Sequence, residues 1–271
     1  MATGFVDIAW GERRVSVEHQ WLDGPAGSPL MVFLHEGLGS VSMWRDFPAQ
    51  LCTALGCRGL VYSRPGYGQS SPRPPQEHWG PDFMHRQAHE VLPALLQALE
   101  VRGPIWLMGH SDGGSIALLH AAGRVAPAGE HPPALAGLIV MAPHILVEDL
   151  SLRSIEQARL AYVEGGLREK LARHHADPDS AFWGWNQIWL NPAFAQWSIE
   201  DEVSRITVPV LAIQGLNDEY GTLEQIRGIA RRTPQTELLE LPDCGHSPHR
   251  DQPQALITAI TQFFGRHSQR A

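Results

Sequence analysis

The amino-acid sequence predicts an α/β fold: a mostly parallel, twisted sheet with helices on both faces and a helical cap inserted between two strands. Three observations carry this. Short, continuous apolar runs recur at residues 30–34, 59–62, 105–108, 138–141, 208–213 and 236–241, as expected of strands covered on both faces. Helical patterns separate them, most clearly over 84–100, where Met84, Ala88, Val91, Leu92, Leu95, Leu96 and Leu99 form one stripe. The alternation breaks once, over 146–205, where helical patterns continue without a convincing buried strand.

In chain order, residues 5–10 and 13–22 are strand-like and separated only by Gly11 and Glu12, which predicts an antiparallel hairpin ahead of the parallel strands. The Pro-rich stretch 72–81 reads as a surface loop. Residues 1–145 and 206–271 are assigned to one core domain and 146–205 to the cap. That segment holds Trp183, Trp185, Trp189 and Trp197, four of the nine tryptophans. They either line an apolar pocket or fill the cap's own interior, since a small helical insert needs bulky residues to cohere.

Composition narrows the function. A chain of 271 residues, 43% hydrophobic and 18% charged, has the make-up of an ordinary globular protein with a large core. The formal net charge of −8, without a lysine or arginine run, argues against nucleic acid as a partner. Cys52, Cys57 and Cys244 show neither zinc-site nor redox spacing. The first ten residues resemble a strand rather than a leader, and no run of 18 apolar residues is present for a membrane span. A cytoplasmic protein without membrane attachment is the expectation.

The most informative stretch is Ile105-Trp106-Leu107-Met108-Gly109-His110-Ser111-Asp112-Gly113-Gly114. It is a buried strand, a Gly-x-Ser-x-Gly turn, then a helix. A serine in so sharp a turn has a strained backbone, and side chains two residues away would collide with neighbouring elements, so Gly109 and Gly113 fit the turn. The helix N-terminus, with its unpaired N–H groups, then points at the serine. Ser111 is the candidate nucleophile.

This strand–turn–helix resembles the nucleophile turn of the α/β-hydrolase fold family, and the resemblance covers nearly the whole chain. The order serine, acid, histidine is that family's order. Arg64-Pro65-Gly66-Tyr67-Gly68-Gln69-Ser70 resembles the Arg-x-Gly-x-Gly-x-Ser loop of many members, although Ser63 stands where those members usually have aspartate.

A serine hydroxyl needs a base near neutral pH, and 14 histidines are available. His246 lies in Pro242-Asp243-Cys244-Gly245-His246-Ser247-Pro248, just past a strand and before the last helix, in a Gly-His loop like that of related hydrolases. Asp218, in Gly215-Leu216-Asn217-Asp218 after the strand 208–213, resembles the family's Gly-x-x-Asp turn. It is the preferred orienting acid. Asp149 is the competing acid, because some members place it there, and Glu219 is expected to be solvated beside the site. The three preferred residues meet at the carboxyl ends of parallel strands.

In Leu34-His35-Glu36-Gly37-Leu38, matching to related hydrolases makes Gly37 one backbone donor to an oxyanion, with Asp112 the other. Glu36 departs from the family's usual glycine. An ion pair on the loop's outer face is the expectation; the alternative is that Glu36 faces the pocket and tunes the substrate or His35. His174, His175 and Asp177 are read as a solvated helix face rather than a metal site, and Cys244 is set aside because the serine turn already supplies a nucleophile.

The reaction these features imply is acyl transfer to water, with no metal or organic cofactor. The expected substrate is a small or medium carboxylic ester. Thioester hydrolysis, lactone opening and carbon–carbon cleavage use the same three residues and stay open. So does a small-molecule receptor derived from a hydrolase.

Overall fold

Side chains alternate along a strand, so a five-residue apolar run buried on both faces feeds two cores at once. The strand Leu30–Leu34 does this in the computed structural model, which describes residues 3–123 and 133–268. Leu30, Val32 and Leu34 enter one apolar layer, while Met31 and Phe33 enter the other.

Eight strands form one sheet. They are β1 (Thr3–Trp10), β2 (Arg13–Leu22), β3 (Leu30–Leu34), β4 (Arg58–Tyr62), β5 (Ile105–His110), β6 (Leu135–Met141), β7 (Val210–Gly215) and β8 (Thr236–Leu241), in the spatial order β1-β2-β4-β3-β5-β6-β7-β8. The β1–β2 and β2–β4 pairings are antiparallel and the remaining five are parallel.

Helices cover both faces. On one side lie α1 (Phe47–Leu55) and the C-terminal α11 (Pro253–His267), which place Leu51, Cys52, Leu256, Ile260 and Phe263 against the sheet. The opposite face carries α2 (Phe83–Arg86), α3 (Leu92–Ala98) and α4 (Asp112–Ala122). Between β6 and β7 the chain forms α5 (Asp149–Glu164), α6 (Leu167–Leu171), α7 (Pro178–Trp189), a 3₁₀ turn (Pro192–Phe194) and α8 (Glu200–Val203). Its two ends meet at a bridge between Leu146 and Ser198. The remaining helices, α9 (Glu224–Arg232) and the short α10 (Pro248–Asp251), flank β8.

Three expectations need correction, and the helical pattern over 84–100 takes a specific form: α2 and α3 joined through a π turn at Gln87–Val91. Pro93 has no N–H to return to the preceding turn, and the wider turn absorbs that loss. Strand β6 begins at Leu135, three residues before the apolar run, and includes Gly137, where a Cβ would overlap the Trp106 ring. Strand β8 is a sheet edge rather than a strand covered on both faces, and Leu238 is 41% exposed. The 72–81 stretch is irregular, but Arg73 and Trp79 are buried, with the Trp79 ring 6.0 Å from Trp10 and 6.1 Å from Tyr67.

Candidate active site

Strand β5 runs out at His110, and the chain turns through Ser111 at φ 53°, ψ −122° before α4 starts at Asp112. A non-glycine residue in this region costs about 1–3 kcal/mol and persists only when its surroundings enforce it. The Ser111 N–H donates to Met141 O at 2.9 Å, tying the turn to β6. A Cβ on Gly109 would overlap the Gly113 carbonyl, and one on Gly113 would overlap the carbonyl of Leu34 at the end of β3. Both glycines are therefore required by close approach.

The same device joins the other two segments. A Cβ on Gly215 would overlap the Cys244 carbonyl, and Asn217 N–H donates to Cys244 O at 2.9 Å. The turn after β7 thus lies against the loop after β8. His246 Nδ1 is 2.9 Å from Asp218 Oδ1. Asp218 also accepts from Tyr220 N–H at 2.8 Å, Gly221 N–H at 3.3 Å and the Gln214 amide at 3.1 Å. Burial pushes its carboxyl up, but the His246 hydrogen bond and charge, with the Tyr220 N–H, outweigh burial and hold it below the usual carboxylate range. For His246 burial acts downward, and the hydrogen bond and charge of Asp218 outweigh it, so the imidazole is held above its ordinary 6.5. Nδ1–H directed at the acid leaves Nε2 free for a second partner.

Ser111, His246, Gly37 and Asp112 line one cleft of about 180 Å³. No hydrogen bond joins Ser111 to His246 among the described residues; such bonds commonly tighten only when a substrate binds. A larger hollow of about 450 Å³ beside Trp21, Arg58 and Arg102 has no serine, cysteine or histidine in its walls. Asp149, the competing acid, is exposed at the start of α5. Glu219 is exposed as expected, yet its Oε2 accepts from the His246 N–H at 3.1 Å.

Glu36 is not on the outer face of its loop. It lines the cleft, with Oε2 3.5 Å from His110 Nδ1 and Oε1 3.5 Å from Arg250 Nη2. Gly39 explains the direction: a Cβ there would lie 2.7 Å from the Glu36 carboxyl carbon, so the side chain folds back across its own turn. His175 is not on a solvated helix face either. It follows α6, is 3% exposed, accepts from Gly68 N–H at 2.9 Å and donates to Leu38 O at 3.0 Å. Burial pushes its imidazole down to about 4. His174 meets Ser42 Oγ at 2.9 Å, and Asp177 caps α7 by accepting from Ser180 N–H at 2.9 Å. Among the described residues, no three histidine, cysteine, aspartate or glutamate side chains group as a metal site. Cys244 is buried, and burial raises its thiol to about 11, which suppresses the thiolate.

The tryptophans of the segment between β6 and β7 divide their tasks. Trp185 and Trp189 line the cleft, whereas Trp197 stacks on Phe194 at 5.1 Å and Trp183 packs edge-on to Phe182 at 5.0 Å. Trp185 lies directly on Gly37, where a Cβ would overlap its indole. Other contributors had no local signal in the sequence. His144 lines the cleft with its ring 6.0 Å from His246, and burial, then the His246 charge, push it down to about 3. Glu18 on β2 accepts from the Ser63 hydroxyl at 2.6 Å and from Gln69 N–H at 2.8 Å. Ser63 thus relays a carboxylate supplied from another strand.

Trp189 Nε1–H donates to Asp112 Oδ1 at 3.2 Å. Asp112 is fully buried, and burial raises its carboxyl to about 6, opposed by the charge of Arg64 and the Trp189 hydrogen bond. Replacing Trp189 with Phe removes one donor to a buried carboxylate, a loss of about 1.5–3 kcal/mol while the group is ionised. Chemical denaturation of Trp189→Phe is expected to show that loss at pH 8 and a smaller one at pH 5, where Asp112 is mostly protonated. Equal losses at both pH values would contradict this assignment.

Residues 31–259 match the alpha/beta hydrolase family model. The chain is 26% identical over 272 residues to the sn-1-specific diacylglycerol lipase ABHD11 of Mus musculus, covering 93% of this chain and 86% of that protein. It is also 26% identical over 274 residues to the 2-succinyl-6-hydroxy-2,4-cyclohexadiene-1-carboxylate synthase of Enterobacter sp. (strain 638), covering 89% and 93%. A thermophilic esterase from Thermogutta terrifontis has the same fold, with a TM-score of 0.69 at 20% identity, covering 98% of this chain and 100% of that one. With the family model spanning most of its length, the chain belongs to the alpha/beta hydrolase family.

Proposed function

We propose that the protein is a serine esterase that cleaves a small carboxylic ester through an acyl-enzyme on Ser111. The observation that carries this reading is the His246 Nδ1–Asp218 Oδ1 contact of 2.9 Å beside the cleft that Ser111 lines. His246 Nε2 takes the proton of Ser111, and Oγ attacks the ester carbonyl. The N–H groups of Gly37 and Asp112 receive the oxyanion, each such donor being worth about 10²–10³ in rate. Asp218 fixes the tautomer and stabilises the imidazolium. His246 returns the proton to the leaving alkoxide, and water then repeats the steps on the acyl-enzyme. No step calls for a metal or an organic cofactor.

Residues 146–205 act as a cap on a core built from 1–145 and 206–271, with Trp185 pressed on Gly37 and Trp189 bonded to Asp112. The cleft is small, about 180 Å³, which favours a short acyl chain. Three free, buried thiols accord with a reducing, cytoplasmic setting.

Charge narrows the substrate further. Glu36, Asp112 and Glu219 line the cleft, and the single arginine there, Arg250, already faces Glu36. A substrate carrying a carboxylate meets like charge, so a neutral ester fits better than the carboxylate named by the synthase relatives. In the wild type, a neutral p-nitrophenyl butyrate is expected to exceed the mono-p-nitrophenyl ester of succinate by at least about tenfold in kcat/KM. Equal values would remove the charge argument.

The base works only when neutral. Because its environment holds His246 above 6.5, kcat/KM should fall as pH drops through that raised value, an acid limb centred above 6.5. Ser111→Ala should lower turnover by roughly 10⁶-fold and abolish fluorophosphonate labelling. Labelling that survives in Ser111→Ala, or an acid limb centred below 6.5, would overturn the reading.

A further inference from the structure

His110 stands one residue before the nucleophile and is 1% exposed, yet the reaction above makes no use of it. Both of its ring nitrogens face acceptors. Nε2 lies 2.6 Å from the backbone carbonyl of His246, and Nδ1 lies 3.5 Å from Glu36 Oε2. A carbonyl oxygen only accepts, so Nε2 carries a proton. Nδ1, buried and without a hydrogen bond, turns toward the Glu36 carboxylate.

Glu36 also faces Arg250 at 3.5 Å. Burial pushes its carboxyl up, but His110 beside it outweighs burial and holds it well below the usual range. The His110 ring is packed by Trp44 at 6.4 Å, His249 at 4.9 Å and His246 at 5.1 Å. His249 is driven down to about 3 by burial and then by the charge of His110, so it is neutral and does not compete for the carboxylate.

We propose that Glu36 and His110 act as a buried pair whose imidazole grips the carbonyl of His246 and thereby positions the base against the nucleophile. The inference rests on the reading of His246 as the base. Glu36 precedes Gly37 in the chain, and His110 precedes Ser111. This pair therefore joins the oxyanion loop, the nucleophile turn and the histidine loop. His246 is held at three points: its carbonyl by His110, its N–H by Glu219 and its Nδ1 by Asp218. Glu36 and His110 are positioning residues that act through His246, and a misplacement of about 1 Å in such a site can cost about 10²-fold in rate.

In steady-state assays Glu36→Leu should lose roughly ten- to a hundredfold in kcat while KM stays within about twofold. Glu36→Gln, which keeps the length and polarity of the side chain facing His110 Nδ1, should regain most of that loss. A Glu36→Leu variant with wild-type kcat, or a Glu36→Gln variant as slow as Glu36→Leu, overturns the proposal. Failure of the esterase reading is separate: Ser111→Ala would then keep its activity whatever stands at position 36.

Discussion

The left-handed turn at Ser111 is the constraint on which the remaining geometry depends. Its φ of 53° is unfavourable for any residue with a side chain, and the surrounding packing leaves the chain no alternative path. Strand β5 ends against β6 through the Ser111 N–H, and α4 must start at once because Gly113 already touches β3. The turn also sets the directions of its neighbours. His110 goes to the loop of His246, and Asp112 goes to Trp189. A relaxed turn would lose these contacts together with the presentation of the hydroxyl.

Features that depend on neighbours in the chain were legible in the sequence. The apolar runs located every parallel strand to within a few residues, because burial on both faces leaves few polar positions. The Gly-x-Ser-x-Gly stretch was legible because its sharp strand–turn–helix path needs glycines on both sides of the serine: Gly109 meets the unit's own helix, and Gly113 meets the end of β3. The short turns that carry Asp218 and His246 were legible, and Gly215 proves to be the residue that lets those turns touch. What could not be read depends on distant segments. The inward turn of Glu36 follows from Gly39, His110 and Arg250, the last lying beyond two hundred residues of intervening chain. His175 looked solvated because its partners, Gly68 and Leu38, belong to other loops. Glu18 and Ser63 exchange a role across two strands, which no local pattern encodes.

The segment between β6 and β7 contributes more than cover. Trp185 rests on Gly37 and Trp189 bonds to Asp112, so the two residues proposed as oxyanion donors are each braced by an indole from the same helix, α7. His175, just before that helix, pins the loop of Leu38 from behind. Movement of α7 would be felt at both of these contacts at once. The buried carboxyls of Glu36 and Asp112 give the same cleft an acidic character that the apolar indoles alone would not.

The account stands most directly on covalent chemistry at one hydroxyl. Rapid acid quenching of the wild type during turnover of a short aryl ester, followed by mass spectrometry of its peptides, reads that chemistry. The account predicts an added acyl group on the peptide that contains Ser111. An acyl group on any other residue, or steady turnover with Ser111 unmodified at every quench time, would contradict it.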